Sequence, residues 1–212
     1  MPENNYYSIM KIIEKFSLKR KISLVIVCKN RSIEEIERFI SMGHRDFAEN
    51  KVQEAYKKWS ILKNRYNNIC LHFIGHLQNN KISKVLDLFD VIHSLDSLNL
   101  IEKISSQLYK KNYLDKKFFI QVNIGDEKSK YGFSLQNLDN DIQLIINKYK
   151  NLNIVGLMCL PPKNQESSYY FSKLANIAKK HDLVDLSMGM SNDYLSALEN
   201  GATYLRIGSL LF

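Results

Sequence analysis

The sequence predicts an α/β fold, a single compact (β/α)8 TIM-type barrel with one extra helix at the N-terminus. Eight short apolar segments alternate with longer amphipathic segments along the 212 residues, and this alternation is typical of a parallel sheet. No glycine-rich phosphate turn follows the first strand, which argues against an open dinucleotide-binding sheet. The alternation within residues 22–29 also suits a strand that faces helices on one side and a closed interior on the other. An open doubly wound sheet is the alternative.

Each element is predicted from its own residue pattern. The strands are the short runs rich in apolar and β-branched residues, at 22–28, 45–49, 71–75, 90–93, 118–124, 154–158, 184–187 and 203–207. The helices are the segments in which apolar residues recur every three or four positions, at 33–42, 51–65, 80–87, 97–111, 135–149, 166–180 and 192–200. The extra helix, at 5–18, is expected to cover the gap left because no helical pattern follows the last strand.

Local signals at the helix ends support these assignments. Ser32 and Glu35 form a capping-box pattern before the first helix that follows a strand. Gly43 stands where that helix should stop. Ser191 is a candidate N-cap of the last helix, which Gly201 would close.

Composition limits the classes of protein to which the chain can belong. It is 45% hydrophobic and 25% charged, which is globular, and no linker divides residues 1–212, so one domain is expected. Cys28, Cys70 and Cys159 lie in or beside apolar runs, as reduced core thiols of a cytoplasmic protein would. No Cys or His pair has zinc-ligand spacing, so no metal is expected. No signal peptide or membrane-spanning run is predicted.

The net charge of +8 raises the possibility of a nucleic-acid partner. The lysines are distributed over many segments, however, whereas a nucleic-acid site clusters them with aromatic side chains. A solvated lysine-rich surface is the simpler interpretation, and no nucleic-acid partner is expected.

Several notable residues lie where strands of the barrel would end, the face on which such barrels carry their active sites. They are Lys29, Asn50, His72, Gly75, His76, Asn123, Met158, Ser187 and Arg206. Lys29 is the most informative, because a lysine that ends a buried strand is costly unless it is solvated, paired or chemically engaged. Its amine can also condense with an aldehyde to form a Schiff base.

The loops after the last two strands are the next signal. Residues 187–191 and 207–209 contain Gly189 and Gly208 together with several serines. Barrels frequently bind phosphate with these loops through exposed N–H groups and a helix N-terminus. Ordinary turn glycines remain an equal alternative on these residues alone.

A lysine, a phosphate cradle and an inward-pointing arginine together suggest pyridoxal 5′-phosphate (PLP). Lys29 would hold the aldehyde, the two loops would hold the phosphate, and Arg206 would face the pyridine nitrogen. Arginine stays protonated and can only donate, so that nitrogen would be unprotonated and the ring a weak electron sink.

These residues stand in segments that resemble a known family, the pyridoxal phosphate homeostasis proteins, which are related in fold to the N-terminal domain of alanine racemase. The matching segments run nearly from end to end, at 25–29, 47–54, 72–81, 121–124, 156–158, 186–191 and 206–208. The resemblance implies a Schiff base at Lys29, and an intracellular role in buffering or delivering PLP. The residues that it implies for cofactor binding are Lys29, Asn50, His72, Met158, Ser187, Met188, Gly189, Arg206, Gly208 and Ser209. For His72, a structural role is equally open.

Two other functions remain open beside a PLP carrier: a weak amino-acid racemase and a cofactor-free lyase that uses a lysine Schiff base. A racemase needs bases on both faces of the cofactor, and the second domain that supplies one in alanine racemases does not fit beside eight assigned strands. We therefore expect no strong catalysis and no catalytic residue. The expected partners are PLP and apo forms of PLP-dependent enzymes, and the expected state is a monomer.

Overall fold

The architecture is a closed parallel barrel, as the alternation of elements predicted. The structure, a computed structural model, describes residues 2–110, 113 and 115–212. The strands are β1 (Ser23–Val27), β2 (Asp46–Glu49), β3 (Cys70–Phe73), β4 (Val91–Leu95), β5 (Lys117–Val122), β6 (Asn153–Cys159), β7 (Asp185–Ser187) and β8 (Tyr204–Ile207). Each strand pairs in parallel with the next, and β8 pairs back with β1. Closure satisfies the edges that an open sheet would leave unpaired.

Helices cover the outside of this barrel. They are α1 (Pro2–Ser17), α2 (Ile33–Ser41), α3 (Val52–Arg65), α4 (Ile82–Leu88), α5 (Leu98–Lys110), α6 (Leu138–Lys148), α7 (Ser167–Lys180) and α8 (Tyr194–Glu199). The predicted helix at 97–111 is present, and its last residue, 111, lies outside the described residues. None of the described helices combines the length and the apolar character that crossing a bilayer requires.

The capping signals were predicted correctly at α2 and at the end of α8, where Gly201 follows the C-cap Asn200 with a φ of 96°, but wrongly at the start of α8. The Ser32 hydroxyl accepts a hydrogen bond from the Glu35 amide at 3.2 Å, and the Glu35 carboxylate accepts one from the Ser32 amide at 2.8 Å. At α8, the N-cap is Asp193 rather than Ser191. The reason is that the Asp193 carboxylate accepts from the Met190 amide at 2.6 Å, which delays the start of the helix.

Helix α1 packs beside α2 and the segment that follows β8. The Asn5 side chain donates to the Leu210 carbonyl at 2.9 Å, and the Tyr6 ring lies 5.8 Å from that of Phe39 on α2. The extra helix therefore covers the barrel where a helix after β8 would lie, as expected from the sequence.

Alternate residues of β1 face two different environments, which confirms the predicted parity. Val25 and Val27 belong to the cluster that fills the barrel. Leu24, Ile26 and Cys28 belong to the larger core between the strands and the helices. Residue 29 continues the inward-facing series, so the side chain of Lys29 begins at the rim of the barrel.

The alternation is interrupted where β5 and β6 pair, because the register shifts between Phe118 and Phe119. Gly156 lies at this irregularity, and a Cβ there would stand 1.8 Å from the Asp185 carbonyl oxygen on β7. A side chain would therefore force β6 and β7 apart, so this position requires glycine. Beyond it, the Met158 side chain points into the barrel cluster.

Candidate functional site

Lys29 lies just beyond β1, on a turn that fixes its backbone and leaves its side chain exposed. The Arg31 amide donates to the Cys28 carbonyl at 3.1 Å. Asn30 has a φ of 58°, and its amide donates to the Glu54 carboxylate on α3 at 2.6 Å. Asparagine is one of the few non-glycine residues that adopt this conformation readily. The turn therefore presents the Lys29 amine to the open end of the barrel.

A buried ion pair lies behind this turn. The Lys58 ammonium on α3 contacts the Glu49 carboxylate at 2.6 Å and that of Glu54 at 2.9 Å. It also donates to the carbonyls of Cys28 at 2.7 Å and Arg31 at 3.3 Å. Lys58 thus binds both ends of the turn that carries Lys29.

The charges of this cluster are strongly interdependent. The Glu49 side chain is fully buried, and its carboxylate also accepts from the Trp59 indole at 3.1 Å. Burial raises the pKa of Glu49, although the hydrogen bond from Lys58 opposes the rise. For Lys58, burial lowers the pKa, but the two carboxylates outweigh this effect and the pKa is raised. Lys58 therefore carries its charge when it holds the turn.

Sequence reasoning missed this cluster, because the adjacent lysines 57 and 58 were interpreted as surface charge. The signal was present in the periodicity of the helix. Lys58 lies three residues after Ala55 and four before Leu62, and both of these side chains are buried. Residues at this spacing share one face of a helix. A lysine on an apolar face is a candidate for a buried ion pair.

Arg206 is buried inside the barrel with 3% of its surface exposed. Its guanidinium donates to the Ser187 hydroxyl at 2.6 Å and to the Cys159 carbonyl at 2.9 Å. These two bonds leave further N–H groups of the guanidinium available. Among the described residues, no carboxylate lies within 4.0 Å of it. Burial lowers the pKa of Arg206, yet arginine keeps its proton, so the interior holds a cation that lacks an anionic partner.

Lys29 and Arg206 approach the same space from different heights. Val25 is the register partner of Arg206, and Lys29 lies four residues further along the chain. Four strand rises set an upper limit of about 13 Å on the height of its Cα above Arg206, because β1 ends at Val27 and Lys29 lies on the turn. A lysine side chain and one aromatic ring fit within that span. The two residues therefore bound the space in the mouth of the barrel.

The other predicted ring contacts lie at different depths. Asn50 follows β2 at the rim, and its Oδ1 atom is buried without a hydrogen-bond partner in the described structure. Met158 is 1% exposed and packs in the barrel interior. His72 is fully buried and bonds to Asp46 at 3.1 Å and to His93 at 2.9 Å. Asn50 and Met158 therefore reach the mouth or the layer below it, whereas His72 is part of a deeper polar network.

The loops after β7 and β8 contain both packed side chains and unpaired backbone amides. The Ser187 hydroxyl is buried against Arg206, and the Met188 side chain packs in the outer core. The amides of Gly189 and Ser209 have no hydrogen-bond acceptor among the described residues. Gly189 has a φ of 90°, and a Cβ at Gly208 would lie 3.2 Å from Val27. The loops after β7 and β8 thus each carry an unpaired amide, the first loop beside α8 and the second beside β1.

The residues in the mouth suit an anionic, aromatic aldehyde such as PLP. The Arg206 guanidinium and the unpaired loop amides can donate to an anionic ligand, whereas the unpaired Asn50 Oδ1 can accept from a donor group of the ligand. Buried polar groups are normally satisfied, so those that are not are candidates for ligand contact. Helix α8 has only six residues, so the loop amides are the relevant anion donors there, rather than a long helix dipole.

Comparison with known proteins relates the whole chain to one family. Residues 4–212 match the family described as alanine racemase, N-terminal domain. A pyridoxal phosphate homeostasis protein of Synechocystis is 36% identical over 205 residues, covering 92% of this chain and 93% of that protein. Another, of Aquifex aeolicus, is 38% identical over 192 residues and covers 84% of this chain and 81% of its own.

A solved structure shows the same relationship. PipY of Synechococcus elongatus, described with PLP bound, superposes with a TM-score of 0.87 at 28% sequence identity, covering all of both chains. The fold, the order of the motifs and the identity to curated relatives agree. This chain belongs to the family of pyridoxal phosphate homeostasis proteins.

Proposed function

We propose that this protein binds PLP in the mouth of its barrel and serves cytoplasmic PLP homeostasis. Residues 1–212 act as one PLP-binding domain and as a monomer, which buffers PLP and delivers it to apo enzymes. Neither nucleic acid nor membrane takes part. The relatives' names and the PLP-bound PipY structure support this assignment.

The buried guanidinium of Arg206 is the observation that carries the proposal. A cation in a barrel interior is costly without a direct partner, and among the described residues Asp193 acts on Arg206 only from a distance. A ligand that accepts a hydrogen bond from the guanidinium and carries negative charge nearby would reduce this cost. PLP supplies an aldehyde that an amine can capture, a phosphate and a pyridine nitrogen that accepts a hydrogen bond.

Each residue then has a distinct task. Lys29 captures the aldehyde and holds the covalent bond, because its amine is the exposed one on the fixed turn. Arg206 donates to the ring nitrogen from below. Gly189, Gly208 and Ser209 hold the phosphate with loop amides. Asn50 and Met158 line the ring. Ser187 contributes by positioning the Arg206 guanidinium, and Met188 contributes by positioning the loop backbone.

A carrier suits this geometry better than a racemase does. Arg206 can only donate to the ring nitrogen, so the nitrogen stays unprotonated and withdraws electrons weakly. Proton transfer at a substrate carbon would gain little from such a ring. Secure binding through Lys29 and Arg206, without rapid chemistry, is what a PLP reservoir needs.

The test is titration of the purified protein with PLP, followed by gel filtration and an absorbance spectrum. The wild type should keep about one PLP per chain and show a visible band from the covalent adduct. Lys29→Ala should lose the band while keeping its circular dichroism. Lys51→Ala is the matched control, because Lys51 is also exposed beyond a strand end, and it should behave as the wild type.

Three results would overturn the proposal. The first is equal retention by the wild type and Lys29→Ala. The second is equal affinity for PLP and pyridoxal, which lacks the phosphate. The third is turnover of L- to D-amino acids that depends on Lys29, which would make the protein an enzyme.

A further inference from the structure

A continuous chain of hydrogen bonds crosses the barrel below the proposed PLP site. Arg206 donates to the Ser187 hydroxyl at 2.6 Å, and that hydroxyl lies 2.7 Å from Nδ1 of His93. Nε2 of His93 lies 2.9 Å from Nδ1 of His72, and Nε2 of His72 lies 3.1 Å from the Asp46 carboxylate. The four bonds join β8, β7, β4, β3 and β2.

The ends of this chain carry opposite charges. Arg206 is a cation at the upper end. Asp46 lies at the floor, where its side chain is 35% exposed. Burial would raise the pKa of Asp46, but the hydrogen bond from His72 outweighs this effect and the pKa is lowered. The carboxylate at the floor is therefore ionised at neutral pH and can only accept hydrogen bonds.

His93 is the central member of the chain and is neutral. It is fully buried, and this burial, together with the neighbouring His72 and Arg206, holds the pKa of His93 well below its usual value. A neutral imidazole donates from one nitrogen and accepts at the other. The nitrogen that carries the proton therefore determines whether His93 accepts a hydrogen bond from Ser187 or donates one to it.

One arrangement, with a single proton on each imidazole, satisfies every bond between the donor Arg206 and the acceptor Asp46. Asp46 accepts, so Nε2 of His72 donates to it and Nδ1 of His72 accepts. Nε2 of His93 then donates to His72, and Nδ1 of His93 accepts the Ser187 proton. The Ser187 oxygen then accepts the hydrogen bond that Arg206 donates. In each of these hydrogen bonds, the donor is on the Arg206 side and the acceptor is on the Asp46 side.

We propose that His93 is a positioning residue for Arg206, which it holds toward the cofactor ring through the Ser187 hydroxyl. This inference rests on the proposed PLP function. As the Nε2–H tautomer, His93 accepts from Ser187 and fixes the direction of its hydroxyl. Ser187 then anchors one side of the guanidinium, while the Cys159 carbonyl anchors the other.

Ring packing fixes the plane of the His93 imidazole. The imidazole stacks on Phe119 with centroids 4.5 Å apart and planes 14° from parallel. The Tyr204 ring meets it edge-on, 5.9 Å away. Such contacts favour one ring plane, and the hydrogen bonds to Ser187 and His72 determine which edge of the ring faces each of them.

A metal ion at the floor is the competing interpretation of the same atoms. Asp46, Cys70 and His72 each place one possible ligand atom within 4.8 Å of the others. A metal on Nε2 of His72 would require the proton on Nδ1, and neutral His93 would then have to donate to Ser187 instead of accepting. A protonated His72 would place the His93 proton on Nδ1 as well, so the tautomer of His93 is read together with its response to a chelator.

The first experiment reads these tautomers in the PLP-free protein by ¹⁵N–¹H correlation spectroscopy of the histidine rings. The expected result is a neutral Nε2–H tautomer for His93, unchanged by a chelator. A His93 ring that carries its proton on Nδ1 would overturn the proposal, with or without metal. The tautomer is measured without PLP, so this result remains valid even if the protein does not bind PLP.

The second experiment measures PLP affinity in variants of the protein. His93→Phe keeps the stacked ring but removes the acceptor, and Ser187→Ala removes the hydroxyl. Each should weaken PLP binding about tenfold, the typical effect of losing one hydrogen bond to a charged group. His93→Asn, which can offer an oxygen near the Nδ1 position, should restore most of the affinity.

The double variant His93→Phe/Ser187→Ala tests whether His93 acts through Ser187. If it does, the double variant binds PLP no more weakly than either single one. Additive losses would contradict the mechanism. His44→Phe is the control for general destabilisation, because His44 is buried against Tyr6 and Phe47 on the helix side of the barrel, and it should leave PLP affinity unchanged. Wild-type protein that fails to bind PLP would refute the proposed function, whereas normal binding by His93→Phe would refute this inference alone.

Discussion

Replacing Lys58 with methionine should destabilise the barrel strongly, because it leaves the buried Glu49 carboxylate without its cation. The two groups are 2.6 Å apart, and the Glu49 side chain is fully buried. Breaking a buried pair by removing one partner costs about 3–5 kcal/mol. For a domain of this size, that corresponds to a fall in Tm of about 6–20 °C.

Thermal and urea unfolding of matched variants measures this effect. Arg65→Met removes an ion pair with Glu37 whose arginine is 58% exposed, and it should cost less than about 1 kcal/mol. The double variant Glu49→Leu/Lys58→Met should recover most of the loss, since a buried pair can be replaced by apolar side chains at little cost. A loss for Lys58→Met no larger than for Arg65→Met would refute the reasoning.

The same variant has a predicted pH dependence. Without Lys58, the pKa of Glu49 rises further above its unfolded value, so the folded state favours the protonated carboxyl. Stability is then greatest below the unfolded pKa of about 4.3 and falls as the pH rises through the folded pKa. The deficit of Lys58→Met should therefore grow from pH 4.5 to pH 7. A constant deficit would contradict the role of Glu49.

Three further predictions concern the site. Arg206→Met should weaken PLP binding at least about tenfold. The PLP-free variant should be as stable as the wild type or more stable, because a buried cation without an ion-pair partner is removed. A large loss of Tm would contradict this. Gly189→Ala should cost about 1–3 kcal/mol, because φ is 90° and a Cβ would lie 2.5 Å from that of Ala197, and urea unfolding would show it. The lowered pKa of buried His93 means that the unfolded state takes up a proton that the folded state excludes, so this histidine should reduce stability as the pH falls through about 6.5. His93→Asn should show a smaller loss between pH 7.5 and 5.5, and an unchanged slope would count against a neutral His93.

The features that were predictable from the sequence are those encoded locally. The alternation in residues 22–29 identifies which side chains of β1 face the barrel, because side-chain direction in a strand has a period of two residues. Lys29 and Arg206 stood out because polar residues at the ends of parallel strands meet at one face. The register of β1 with β8 then places them one above the other.

The features that were missed depend on contacts between distant parts of the chain. His93 meets Ser187 across 94 positions, and nothing near His93 in the sequence indicates that pairing. Ser191 was expected to cap α8, but its hydroxyl accepts from the Leu210 amide at 3.3 Å. That contact exists only once β8 has closed the barrel. Parity alone could have flagged His93 as inward-facing, because Val91 two residues earlier lies in the barrel cluster.

Identifying the residue that carries PLP is the most direct test of the account. The PLP-loaded protein would be reduced with borohydride, digested and mapped by mass spectrometry. The account predicts a pyridoxyl group on the peptide that contains Lys29, at about one per chain, with none on the Lys51 peptide. A label on another lysine, or one distributed over many surface lysines, would contradict it.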